Sequence, residues 1–279
     1  MQESTFNELS DLALRLSGQH IAASKAYLLE ARLSTISRRE NLATLDDLVH
    51  CLKARPNPRF EQEVAAALSS KKTSFFCERA LLEKIVTQAL PERLSHSKTG
   101  RLRVWCAGAS TGQEAWSLAI RLSEEMGSAL ARAEIEIVGT DLSTQCVETA
   151  KTGTYGHFDV QKGLSIHRLM TNFSRKDNGD WVIGDAFHRN VNFRRHNLLD
   201  SARDLGAFDI IICSNVLGGL APAAQRLAIE NMSAQLLPEA LFFAAPDETI
   251  EGLSSAIKPS RALRGAFERD TTEKKTAAA

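Results

Sequence analysis

The chain has 279 residues, with 34 Lys and Arg against 34 Asp and Glu, a formal net charge of zero and 43% hydrophobic residues. That length suits one large domain or two unequal ones, and neutrality argues against nucleic-acid binding through phosphate neutralisation. The five cysteines, Cys51, Cys77, Cys106, Cys146 and Cys213, stand singly, which argues against a disulfide framework and a zinc knuckle. No apolar run reaches the ~18 residues needed to cross a bilayer, and the N-terminal stretch is acidic and amphipathic, so a cytoplasmic protein without membrane insertion is expected.

Residues 1–72 read as helices alone. Apolar residues recur at helical spacing through Phe6, Leu9, Leu12 and Leu16, through Ile21, Leu28, Leu29, Leu33 and Ile36, and through Leu45, Leu48, Val49 and Leu52. Thr44 is a candidate N-cap, and Pro56 and Pro58 break the pattern before a helix over Phe60 to Leu68. From Arg101 the texture changes. Strands are expected at 101–107, 135–141, 208–213 and 240–245, and helices at 113–126, 144–151 and 225–237. Such alternation indicates a doubly wound α/β domain over 73–270, with a parallel sheet and ligands at the strands' carboxyl ends. Between about 157 and 195, short strands at 181–185 and 190–196 predict a small antiparallel β insert. It holds seven Lys or Arg against four Asp, and His157, His167, His188 and His196 lie in or beside it, read as surface residues because their intervals lack ligand spacing. Residues 271–279 are expected to be a disordered tail.

Gly108 and Gly112, in Ala-Gly-Ala-Ser-Thr-Gly-Gln-Glu, lie where the first strand turns into its helix, so backbone N–H groups can approach a nucleoside. The GxxxG spacing differs from the GxGxxG of dinucleotide sites, which disfavours a nicotinamide enzyme. Asp141 ends the second strand, 33 residues after Gly108, where a carboxylate can take both ribose hydroxyls; its plainer role is to cap the next helix. Glu114 either reaches the ligand or serves the helix dipole, and spacing does not separate the two. Asn197 with Leu198, and Asn215, follow strand ends, where asparagine is equally a turn residue. Arg32, Arg38, Arg39, Arg55 and Arg59 read as a solvated face.

Several stretches resemble the CheR chemoreceptor glutamate methyltransferases. Thr73-Ser-Phe-Phe76 is similar to that family's TxFFR, Trp105 to Glu114 to its WSAGCSTGEE, and Val138 to Asp141 to its strand-end TD. Val191 to Leu199 and Phe208 to Val216 resemble VxFxxxNLL and FDvIfCRNV, and the N-terminal helices match as well. The resemblance implies a Rossmann-like class I methyltransferase domain behind an all-helical N-terminal domain. The implied cofactor is S-adenosyl-L-methionine, with contacts at Thr73, Gly108, Glu114, Asp141, Asn197, Leu198 and Asn215. The implied partner is a chemoreceptor or another acidic helical signalling protein. The insert lacks a Gly-x-Gly loop, so no pentapeptide tether is expected, and the protein is expected to be a monomer.

The departures bear on catalysis. Cys77 and Ser214 stand where the family has arginines, Gly219 where it has a tyrosine, Lys71 where it has an asparagine, and Ala245 to Glu248 where it has GHSE. Cysteine and serine cannot replace a bidentate carboxylate clamp. A receptor glutamate O-methyltransferase is therefore expected, the alternative being a catalytically impaired regulatory module that binds S-adenosylmethionine or its demethylated product. No catalytic residue is assigned.

Overall fold

The computed structural model describes residues 2–70, 72–125 and 129–270; the expected tail at 271–279, Lys71 and Met126 lie outside them. Four helices form the N-terminal unit: α1 (Glu3–Ser17), α2 (Tyr27–Arg39), α3 (Leu45–Ala54) and α4 (Pro58–Leu68). Their apolar stripes meet in one core containing Leu9, Leu29, Leu33, Leu48 and Leu68, all fully buried. Thr44 caps α3 as expected, in a capping box with Asp47. Ile21 belongs to this core but lies in the connection after α1, which ends at Gly18 with φ 67°.

A second helical stretch, α5 (Arg79–Lys84), a π turn (Ile85–Ala89) and α6 (Leu90–His96), leads into the sheet. The strands are β1 (Arg101–Ala107), β2 (Glu134–Asp141), β3 (Thr154–Tyr155), β4 (Phe173–Arg175), β5 (Trp181–Ile183), β6 (Val191–Arg195), β7 (Phe208–Cys213), β8 (Leu236–Ala244), β9 (Ile257–Pro259) and β10 (Phe267–Arg269). Between them run α7 (Gln113–Ser123), α8 (Thr144–Thr152), α9 (His157–Gln161), α10 (Ile166–Asn172) and α11 (Pro222–Ser233). The main sheet has the order β6-β2-β1-β7-β8-β10-β9; its first five strands are parallel, and β10 pairs antiparallel with both neighbours. Alternation along each strand feeds two cores. Val104, Cys106, Ile210 and Ile212 pack with α7 and α8 on one face, while Trp105, Ala107, Ile211 and Cys213 pack with α11 on the other.

Two expectations need correcting. The segment 190–196 is no part of the insert: β6 pairs in parallel with β2, Ile137 opposite Val191 and Asp141 opposite Arg195. Alternation of buried Val191 and Phe193 with exposed Asn192 and Arg194 announces a strand without naming its partner. The antiparallel sheet is instead β3-β5-β4, carried with α9 and α10. Residues 154–183 hold four Lys or Arg against three Asp, so most of the basic excess assigned to the insert belongs to the main sheet's edge. The second correction concerns 225–237. Pro222 starts α11 early, and Leu236 pairs with Phe208 at the head of β8. Leu241 then pairs with Ile210, so a bulge carrying Glu239 at φ 61° absorbs the extra residues.

Asp209 on β7 joins the sheet to α6. Its Oδ1 accepts from Arg93 Nη2 at 3.2 Å and its Oδ2 from the Arg103 N–H at 2.9 Å, with both acidic and basic side chains buried. Asp209→Ala, which leaves the buried Arg93 only the exposed Glu239 carboxylate at 3.7 Å, is expected to cost about 3 kcal/mol in urea unfolding.

Candidate functional site

The carboxyl ends of β1, β2, β6 and β7 open into a cavity of about 360 Å³, within the range of small-molecule sites. Thr73, Gly108, Glu114, Asp141, Asn197, Leu198 and Asn215 all line it, as do Cys77, Ser214 and Gly219. These segments are far apart in sequence, and the parallel sheet brings their ends together.

The glycine turn is shaped by close approach. Gly108 has φ 76°, and a Cβ there would lie 2.5 Å from Val216 Cγ2. At Gly112, φ 94°, a Cβ would meet the Ala150 Cβ at 2.8 Å. Ser110 is also left-handed, φ 51°, and its N–H donates to Asp141 Oδ2 at 2.9 Å. Asp141 Oδ1 accepts from the Ser143 N–H at 2.8 Å. Capping of α8 falls to Ser143, whose hydroxyl accepts from the Cys146 N–H at 3.3 Å, so Asp141 is not the cap.

Glu114, in the first turn of α7, lies half-buried on the cavity wall. Burial pushes its carboxyl up to about 7; Ser214 and Cys106 beside it favour the ionised form, while Glu78 and Glu248 oppose it. A carboxyl shifted by burial in the wall of a cavity marks a candidate ligand contact.

The remaining residues are fixed by contacts that local pattern does not reveal. Asn197 Nδ2 donates to the Leu16 carbonyl at 2.8 Å and its Oδ1 accepts from the Leu199 N–H, so this side chain joins α1 to the sheet. Asn215 is left-handed, φ 60°; its N–H donates to Glu248 Oε2 at 2.9 Å and its Nδ2 to Glu78 Oε1 at 3.2 Å. Glu248 Oε1 also takes the Gly218 N–H at 3.0 Å, so one carboxylate shapes the turn after β7. The Thr73 segment is held by the insert: the Phe75 N–H donates to the Lys162 carbonyl at 3.1 Å, and the Arg168 guanidinium lies 4.0 Å from the centre of the Phe76 ring. His196 lines the cavity with its ring edge toward Trp105, and burial lowers its pKa; His188 packs against Trp116. Neither is the free surface histidine that the sequence suggested, whereas His157 and His167 are exposed. Arg32 donates to the Leu68 carbonyl and Arg39 pairs with Glu63, so the expected arginine face is partly spent on internal contacts.

Sequence reading missed Ser110, Glu78, Gln19, Lys25 and the role of Glu248. Two of them left a trace, Ser110 inside the glycine motif and Glu248 as the last residue of the altered GHSE segment.

The description "CheR methyltransferase, SAM binding domain" matches residues 71–264, and "CheR methyltransferase, all-alpha domain" matches residues 4–69. The chain belongs to the CheR methyltransferase family. A chemotaxis protein methyltransferase of Pseudomonas putida is 31% identical over 84% of this chain and 86% of its own. Chemotaxis protein methyltransferase 1 of Pseudomonas aeruginosa is 31% identical over 84% and 85%, and chemotaxis protein methyltransferase 2 of Vibrio cholerae is 27% identical over 93% and 90%. Among solved structures, an S-adenosylmethionine-bound amino pentose methyltransferase from Micromonospora echinaspora matches at 16% identity over 66% of this chain and 61% of its own, with a TM-score of 0.34. The CheR-type fold is the one expected: an all-α unit, then a Rossmann-like methyltransferase domain that binds S-adenosylmethionine. Among the described residues no helix is long and apolar enough to cross a membrane, and no His, Cys, Asp and Glu cluster could hold a metal.

Two tests follow from the wall chemistry. Unfolded Glu114 ionises near its ordinary 4.5 and the folded group near 7, so wild-type stability falls as pH rises between those values. Glu114→Gln should therefore gain stability relative to wild type from pH 4 to pH 8, on the order of 2 kcal/mol in urea unfolding. Gly108→Val is expected to fold but to lose ligand affinity at least ~10-fold in calorimetry, because its side chain must displace Val216 and strain a left-handed backbone.

Proposed function

We propose that this protein methylates glutamate side chains of chemoreceptors, with S-adenosylmethionine as donor. The observation that carries the reading is the convergence of Asp141, Glu114 and the Gly108 turn on one cavity at the strand ends.

The cavity suits the donor. Gly108 leaves room where any Cβ would be blocked, so the main chain of the turn can lie against an adenosine. Asp141 keeps acceptor capacity on a carboxylate already aimed by two N–H donors, which suits vicinal ribose hydroxyls. Glu114 offers negative charge to the donor's ammonium and sulfonium, and binding a cation would draw its pKa back down. When bound, S-adenosylmethionine supplies an electrophilic methyl group on sulfur.

The acceptor needs no general base, because a glutamate carboxyl of pKa ~4.3 is already ionised at neutral pH. What the chain must do is hold that carboxylate in line with the methyl group, and positioning of this kind can contribute ~7–11 kcal/mol. Thr73, Asn197, Leu198 and Asn215 complete the donor wall, and none is assigned proton transfer. The reading includes a cytoplasmic monomer that acts without a pentapeptide tether, with residues 1–72 and 73–270 as its two units.

A second reading, a regulatory module that binds donor or product without transfer, is supported by Cys77 and Ser214 lining the cavity where guanidiniums could have oriented the acceptor. Calorimetric titration with donor and product, followed by labelled-methyl transfer to receptor cytoplasmic fragments, separates the two. Binding with transfer is expected; binding without transfer favours the regulatory module; and no binding overturns both. Asp141→Ala is expected to weaken donor affinity ~10–100-fold, from loss of charged hydrogen bonds worth ~1.5–3 kcal/mol.

A further inference from the structure

The cavity wall is rich in carboxylates. Glu78, Glu114 and Asp141 line it, and Glu248 stands behind the turn after β7. A carboxylate acceptor brought here is repelled unless cations offset them, because low effective dielectric strengthens like-charge repulsion. Among the described residues no arginine lines the cavity, and Arg168, Arg121 and Arg195 are engaged elsewhere: Arg168 with Glu124, Arg121 with Glu83, and Arg195 with the Leu142 carbonyl and Gln62. Among the described residues two lysines do line the cavity, Lys25 and Lys72. Both are exposed, and among the described residues neither makes an ion pair or a side-chain hydrogen bond.

Each lysine is placed by a specific anchor. Gln19 bridges to Leu220, the His20 N–H donates to the Gly219 carbonyl at 3.0 Å, and the Ala221 N–H donates to the Gly18 carbonyl at 2.8 Å. These contacts fasten the segment after α1 to the turn after β7, and Lys25 ends the short 3-10 turn that follows. Lys72 directly precedes Thr73, in the strap held through Phe75 and Phe76.

We propose that Lys25 and Lys72, from two segments far apart in the chain, select the anionic form of the acceptor and hold its carboxylate at the cavity. The inference rests on the methyl-transfer reading. It assigns to two ammonium groups on flexible stems a task that Cys77 and Ser214 cannot perform. Recognition by point charges selects for charge more than for planar shape, so a glutamate should be strongly preferred to the isosteric glutamine.

The test uses the full chain and a chemoreceptor methylation-helix fragment, in a glutamate form and a glutamine form. Direct titration of both fragments into product-loaded protein is compared for wild type, Lys25→Gln/Lys72→Gln and Lys25→Arg/Lys72→Arg, alongside labelled-methyl transfer. The glutamine double variant should bind the glutamate fragment about tenfold more weakly and raise its KM similarly, while affinity for the donor changes less than about twofold. Binding of the glutamine fragment should not change, the arginine variant should retain preference for glutamate, and added salt should weaken wild type more than the glutamine variant. Equal loss for both fragments, or no loss for either, overturns the inference. If wild type binds donor but methylates no fragment, the transfer reading fails on its own, and the glutamate-to-glutamine binding ratio still decides the role of the lysines.

Discussion

The Asp141 carboxyl group and its own backbone carbonyl are the constraint on which the site depends. One carboxylate oxygen takes the Ser110 N–H of the glycine turn, the other takes the Ser143 N–H at the entry to α8, and the Asp141 carbonyl takes the His196 N–H. A single residue therefore fixes three chain segments that face the cavity. Its donors are main-chain N–H groups, so these bonds hold the segments with little side-chain freedom. The left-handed conformations at Gly108, Ser110 and Gly112 are the backbone cost of bringing those donors to bear.

The two units of the chain act on this site together. Residues 16–20 meet the turn after β7 and Asn197, while the insert grips Phe75 and Phe76 from the other side. Gly163 shows how close that grip is, since a Cβ there would fall 1.7 Å from the Phe75 carbonyl oxygen. In this chain the insert thus has a structural task beside the cavity that is separate from any peptide recognition. The basic character that the sequence attached to it mostly reflects Arg189, Arg194 and Arg195, at or beside the sheet edge.

Much of the framework was legible because it is written in local periodicity. β1 and β7 fall on the expected residues, and α8 differs by one residue at its end. The expected cofactor residues do share one cavity, since a strand followed by a glycine turn and a second strand ending in aspartate leave few ways to fold. Misreadings arose where two signals overlapped. Leu236 and Leu237 continue the helical pattern of α11 yet lie in β8, where Leu236 pairs with Phe208 before a bulge around Glu239 shifts the register. Asn215 looked like an ordinary turn residue, and it is one, but its left-handed backbone is also what presents its amide to Glu78.

The sequence alone determined the helical N-terminal stretch, the strands β1, β2 and β7, the glycine turn and the carboxylate at the end of β2, because periods of 3.6 and 2 and the conformational freedom of glycine are properties of neighbouring residues. Tertiary structure decided which strand β6 pairs with, which carboxylates surround Glu114, and that lysines from two distant segments reach the same wall. Those depend on contacts between residues far apart in the chain, and the burial and charge coupling they create exist only after the segments have packed.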